Sequence, residues 1–261
     1  MSSCILPGYA MEKKFLSKKN NVFLFKRVQE GQDPEFLVYK KYSRKDRMAK
    51  ELEIFQRLSP KGVLVPKVYG TGDDYVLLEY LEGNLLLDLW ERQEAALAVA
   101  GSSLNRMDYG LISPLCCWFK DFYIALQGID GRQMIMGDVN FRNFIVNNRI
   151  YGIDLEECRE GKIEEDVGSL CAFALTYRPA FTSWKIAMVR ELLRNFIGEF
   201  KLDPELVQKE VSNQLLFLAQ IRGTLTETEK ILTNNWLGKT IFLEPGSGGD
   251  AVDYVRADPT Q

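Results

Sequence analysis

Three side chains able to handle a proton or a metal stand close together in this 261-residue sequence: Asp138, Asn143 and Asp154, within Met136 to Glu156, MGDVNFRNFIVNNRIYGIDLE. A carboxylate such as Asp138 can accept or orient the proton of an attacking hydroxyl. Asn143 and Asp154 offer hard oxygen donors of the kind that Mg²⁺ prefers. A base beside a metal-holding pair suits phosphoryl transfer, in which catalysis rests on positioning and charge neutralisation. A lone Asp and Asn at this spacing would be common turn chemistry. The full run G-D-x-N-x-x-N, Gly137 to Asn143, followed by I-D-L-E at Ile153 to Glu156, is far more specific.

The intervening residues predict how the three meet. NFIV, Asn143 to Val146, and RIYGIDL, Arg149 to Leu155, read as short strands. Asn147-Asn148 supplies the turn, because Asn tolerates the positive φ of tight hairpins. Asp138 then lies in the loop before the first strand and Asp154 at the end of the second. An antiparallel hairpin brings its open ends together.

Upstream, a cation and its partner are expected. Glu35 to Tyr42, EFLVYKKY, reads as a strand whose alternation sends Lys40 and Lys41 to opposite faces, so only one enters a cleft. The next segment, about Lys45 to Leu58, reads as a helix with Ser43-x-x-Asp46 as its capping start. Met48, Phe55 and Leu58 share one face, and Glu51 lies on it. A carboxylate on an apolar face needs a cation, and Lys40 is the obvious one. Glu53 falls on the opposite, solvent side.

Elsewhere the chain reads as follows. Residues 1–13 form a lead-in, then Lys14 to Lys19 and Val22 to Val28 make a hairpin joined at Asn20-Asn21. Gly31-Gln32-Asp33-Pro34 marks a turn. Gly62 to Gly70 and Tyr75 to Tyr80 read as strands. After residue 84 the pattern is mainly helical: 84–100, Leu115 to Gln127 after Pro114, Trp184 to Phe200, and a helix opened by Asp203-Pro204 with Leu215, Leu216, Leu218 and Ile221. Trp118, Phe119, Phe122 and Tyr123 suit a core. Asp166 could cap the helix it begins or brace the catalytic loop through backbone N–H groups. Residues 243–261 have the composition of a tail.

Composition bounds the function classes. Hydrophobic content of 46% and charged content of 26% are ordinary for a soluble globular protein. A net charge of −3 argues against a nucleic-acid partner, and no apolar run is long enough to span a membrane. Histidine is absent, which excludes His-based acid–base or metal chemistry. Cys4, Cys116, Cys117, Cys158 and Cys171 lack C-x-x-C spacing and read as reduced and mostly packed, so a cytoplasmic location is expected.

These motifs resemble the protein-kinase-like fold in its small-molecule branch, the aminoglycoside phosphotransferase and choline kinase-like families, and also lipopolysaccharide-type sugar kinases. The resemblance runs from about residue 14 to 200. It rests on L-V-Y-K with Glu51, VLVPKVYG then LLEYLEG, M-G-D-V-N-F-R-N-F-I-V, I-D-L-E and E-D-V-G. It implies an α+β, bilobal fold: a small antiparallel β N-lobe with one helix over residues 1–82, and a larger, mostly helical C-lobe over 83–242. ATP and Mg²⁺ would sit in the cleft. The V-A-I-K register selects Lys40 for the phosphates, with Glu51 orienting it. Asp138 becomes the catalytic base, Asn143 and Asp154 the Mg²⁺ ligands, and Arg142 a further offset to phosphate charge. Backbone groups around Glu79 and Leu81 would bind adenine. The hairpin near Lys18 and Lys19 would cover the phosphates, although it lacks a G-x-G-x-x-G run. Met136 also replaces the His of the usual H-G-D.

The implied reaction moves the γ-phosphate of ATP to a hydroxyl of a small molecule: a sugar, aminoglycoside or amino alcohol. The short connector after Glu156 also permits an atypical protein Ser/Thr kinase, and the missing His and glycines permit a nucleotide-binding pseudokinase or scaffold. Glu156, Glu157, Glu160, Glu164 and Glu165 could suit a cationic acceptor, but read first as a solvated face. The sequence does not define the acceptor or the oligomeric state.

Overall fold

A computed structural model of the chain describes residues 6–17, 19–28, 34–100, 110–128 and 132–222. The expected contact from Lys18, the turn at residues 31–33 and the tail at 243–261 lie outside these residues.

Five strands build the first sheet: β1 (Tyr9–Phe15), β2 (Asn21–Arg27), β3 (Phe36–Lys41), β4 (Val68–Thr71) and β5 (Tyr75–Glu79). All neighbours are antiparallel, in the order β1-β2-β3-β5-β4. Helix α1 (Lys45–Leu58) links β3 to β4, and its Ile54, Phe55 and Leu58 share the core with Val76 and Leu78.

Two short sheets and the remaining helices follow. Strands β6 (Asn84–Leu85), β8 (Phe144–Val146) and β9 (Ile150–Gly152) form one antiparallel sheet, and β7 (Met134–Ile135) pairs with β10 (Arg159–Glu160). The helices are α2 (Leu86–Ala100), α3 (Ile112–Leu126), α4 (Ile163–Thr176), α5 (Ser183–Phe200) and α6 (Pro204–Arg222). The bilobal α+β architecture expected from the sequence is therefore present. Trp118, Phe119, Phe122 and Tyr123 are buried in α3, and Trp118 stacks on Phe122 with ring centroids 5.2 Å apart. Among the described residues the cysteines are free thiols, and no helix is long and apolar enough to cross a membrane.

The two halves are fastened behind the cleft. Arg57 and Lys61, at the end of α1 and just beyond it, donate to the carbonyls of Leu126 at 2.9 Å and Ala125 at 2.5 Å, the open C-terminal end of α3. The Leu64 carbonyl accepts from both the Trp118 indole at 2.9 Å and the Gly152 N–H at 3.0 Å. A Cβ at Gly152 would lie 2.0 Å from the Trp118 ring, so this strand needs glycine to admit the indole.

Several local expectations are corrected. The first strand begins at Tyr9, not Lys14, and ends at Phe15; its side chains are mostly exposed, so no alternation marks it. Gly62 to Gly70 is extended only from Val68. Ser43 does not cap α1: Arg44 is the N-cap residue, makes no side-chain cap and pairs with Asp46 instead. Helix α3 starts at Ile112, with Pro114 in its first turn, where a missing N–H costs nothing. On α6, Leu215 and Leu218 are buried, whereas Leu216 and Ile221 are exposed.

Candidate active site

The core of the site is a buried cluster of one cation and three carboxylates. Lys40 lies on the face of β3 turned toward α1 and is 6% exposed. Its Nζ is 2.6 Å from Glu51 Oε2, 2.6 Å from Asp154 Oδ1 and 3.6 Å from Glu156 Oε2. Lys41, on the opposite face, pairs with Asp74 at the surface. Burial works against the Lys40 charge, but Glu51, Asp154 and Glu156 together hold the ammonium above the ordinary lysine range.

Glu51 is the most completely buried of these groups, and each of its oxygens has a partner. Tyr42 Oη donates to Oε2, and the Leu155 N–H donates to Oε1 at 2.9 Å. Through Glu51, α1 therefore fixes both the lysine and the backbone next to Asp154. Asp154 itself adopts the left-handed conformation with φ of 60°, which Asp tolerates better than most residues. That geometry turns its side chain back toward the lysine.

Asp138 and Asn143 lie across from this cluster on the loop between β7 and β8. Asn143 Nδ2 donates to the Asp138 carbonyl at 2.8 Å, which commits the amide nitrogen and leaves the amide oxygen as its donor atom for a cation. The Asn143 carbonyl accepts from the Ile153 N–H at 2.9 Å and so aligns the loop with the Asp154 strand. Asn140 caps the 3₁₀ turn Phe141–Asn143 by accepting from the Arg142 N–H, and its amide donates to Asp138 Oδ1 at 3.3 Å.

A second buried carboxylate braces this loop from below. Asp166, in the first half of α4, accepts from the Met136 N–H at 2.7 Å, the Gly137 N–H at 2.9 Å and Tyr123 Oη at 3.0 Å. Of the two expected roles it takes the bracing one; α4 begins earlier, with Lys162 as its N-cap residue. Burial pushes its pKa up to about 6, with the two backbone donors and Tyr123 opposing the rise. Met136 is fully buried and packs into the apolar core. Phe141 is wedged between Trp90, with centroids 4.1 Å apart, and Tyr177, whose hydroxyl also accepts from the Phe141 N–H. The Arg142 guanidinium lies 5.7 Å over the Tyr177 ring.

The turn between β1 and β2 closes over the cleft. Lys19 Nζ is 2.9 Å from Glu157 Oε1 and 3.4 Å from Asp138 Oδ2. Asn20 is buried, and its amide donates to Glu156 Oε2 at 2.6 Å. Glu156 was expected on a solvated face. It is instead 3% exposed, and burial raises its pKa against the pull of Lys40. No pattern in the sequence distinguishes Glu156 from its acidic neighbours, and Asn20 read only as a turn residue. Glu79 and Leu81 lie at the end of β5 and just beyond it, with the Glu79 N–H donating to the Lys67 carbonyl at 2.8 Å.

A strand lysine held by a helix carboxylate meets an Asp-bearing hairpin, with Asp138 and Asn143 on the loop that precedes it. Two solved structures share this overall fold across nearly the whole chain. An amicoumacin kinase in complex with AMP-PNP, Ca²⁺ and Ami superposes with a TM-score of 0.56, at 11% identity over 90% of this chain and 88% of that one. The protein has a protein-kinase-like fold. A choline kinase from Cryptosporidium parvum is similar with a TM-score of 0.50, at 12% identity over 88% of each chain. No protein-family model matches the sequence, and no curated protein matches it.

Proposed function

We propose that this chain is an ATP- and Mg²⁺-dependent phosphotransferase that moves the γ-phosphate to a hydroxyl of a small molecule, namely a sugar, an aminoglycoside or an amino alcohol. The observation that carries the reading is the shared cluster of Lys40, Glu51 and Asp154 facing Asp138 and Asn143. The chain's similarity to an amicoumacin kinase and a choline kinase supports it. So does the short path from Asp154 to α4 at Ile163, which leaves little chain for a protein-substrate platform.

The donor set fits a hard divalent cation. Carboxylate oxygens of Glu51, Asp154 and Glu156 lie within 4.8 Å of one another around Lys40, with those of Glu51 already paired, so Asp154 and the Asn143 amide oxygen are the hard donors left for an ion. Asn143 and Asp154 would hold the ion. When bound, Mg²⁺ supplies neutralisation of phosphate charge and a template for the phosphate chain. Lys40, oriented by Glu51, would hold phosphate oxygens. Asp138 would take the proton of the acceptor hydroxyl, Lys19 would cover the phosphates and Arg142 would add positive charge. Backbone groups around Glu79 and Leu81 would meet adenine, near the boundary between lobes assigned at residue 82.

The test is a thermal-shift titration with ATP alone, with ATP and Mg²⁺, and with both on Asp154→Ala. Ligand that binds only the native state raises its stability by mass action. Stabilisation that requires Mg²⁺ and disappears in Asp154→Ala is the expected result, followed by a screen of hydroxyl-bearing small molecules. No shift under any condition would overturn the reading.

A further inference from the structure

Glu157 is held much as a bound anion would be. Its carboxylate accepts from Lys19 at 2.9 Å and from Arg47, whose guanidinium also reaches the Glu156 carbonyl at 3.2 Å. Lys19 belongs to the β1–β2 turn, Arg47 to α1 and Glu157 to the connector after the I-D-L-E run. One carboxylate thus joins three segments around the cleft mouth. The same Lys19 ammonium reaches Asp138 Oδ2 at 3.4 Å.

The neighbouring residue shows which part of the turn can move. Asn20 is buried and fastened on both sides, donating to Glu156 at 2.6 Å and accepting from the Ser43 N–H at 3.2 Å. The Lys19 side chain is half exposed and swings from that anchor on a flexible four-carbon stem. Asn20 anchors the end of the turn next to β2, and the Lys19–Glu157 contact holds the residue just before it.

We propose that Glu157 is a built-in competitor for the terminal phosphate of the nucleotide: it occupies Lys19, which must be surrendered before a phosphate can take it. The proposal rests on reading the cleft as a nucleotide site. A phosphate presents the same hard anionic oxygens with more charge, so the exchange keeps Lys19 paired. Arg47 stays on Glu157 afterwards, so the exchange leaves no bare carboxylate. Moving Lys19 also removes it from Asp138, so the base is uncovered as the phosphate arrives. Glu157 acts here through Lys19 and is a positioning residue.

Two measurements on the full chain test this. Calorimetric titration with MgATP should show Glu157→Gln binding at least about fivefold tighter than wild type and Lys19→Met correspondingly weaker. In the double variant Glu157→Gln should add nothing to Lys19→Met, because the competition acts only through that lysine. Glu157→Gln binding no tighter than wild type, or an unchanged benefit in the Lys19→Met background, overturns the proposal. Hydrogen exchange without nucleotide reads the clasp directly: amides of the β1–β2 turn should exchange faster, by roughly tenfold, in both single variants. Unchanged exchange in both would also overturn it. A wild type that binds no MgATP would instead sink the nucleotide reading and the competition built on it, while exchange still reports whether the Lys19–Glu157 contact holds the turn.

Discussion

Lys40 Nζ and Glu51 Oε2 lie 2.6 Å apart with side-chain exposures of 7% and 1%. The lysine is the shared counter-ion of Glu51, Asp154 and Glu156, so Lys40→Met would leave those carboxylates together without it. Removing one partner of a buried ion pair costs about 3–5 kcal/mol. We expect a loss of that order in urea unfolding, together with loss of nucleotide binding. Wild-type stability in this variant would show that the cluster does not depend on the cation.

Asp138 is the opposite case, because its side chain is 35% exposed. Asp138→Ala should leave stability within about 1 kcal/mol of wild type. Once an acceptor is found, turnover should fall by roughly 10²–10⁴-fold, the usual contribution of a positioned base. ATP-dependent phosphorylation persisting at the wild-type rate would reject the assignment.

Asp166 gives a pH signature. Its folded pKa of about 6 lies above the 3.8 of an unperturbed Asp, so the folded state binds this proton more tightly than the unfolded chain. Its stabilising contribution is fully present below about pH 4 and is lost as pH rises to about 6. Asp166→Asn cannot titrate. Between pH 4 and 7 the stability of wild type relative to Asp166→Asn should therefore fall by roughly 3 kcal/mol at most. A difference that stays constant across that range, measured by urea unfolding, would contradict this.

Gly137 precedes Asp138 with φ of 80°, and a Cβ there would sit 2.5 Å from the Glu157 carbonyl oxygen. Gly137→Ala combines left-handed strain with a clash against backbone, and about 1–3 kcal/mol of destabilisation is expected. Because relief must move either the Asp138 loop or the Glu157 connector, kcat should fall as well. An alanine variant with unchanged melting temperature would show that the loop can yield at little cost.

The parts of the site legible in the sequence are those written in local rules. Lys40 followed from strand alternation and register, Glu51 from helical spacing onto an apolar face, and the hairpin around Asn147 from turn chemistry. Strand β1 was missed over Tyr9 to Lys13 because an exposed edge strand carries no alternation, and its pairing partner lies beyond a turn. Glu156 was misread because its burial depends on Asn20 and Lys40, more than a hundred positions away. The Lys19 contacts are likewise long-range and electrostatic, and no local pattern encodes them.

The bonds from Arg57 and Lys61 to the last carbonyls of α3 have a consequence for how this molecule could be governed. Helix α1 carries Glu51 at its middle and is moored at its far end to the end of α3, within the apolar core. Swinging α1 outward to withdraw Glu51 would strip two cations from that mooring and unseat the Leu64 carbonyl from Trp118 and Gly152. An off-state reached by displacing that helix is thereby disfavoured. Control would then fall to what enters the cleft, with the glutamate standing permanently at its post.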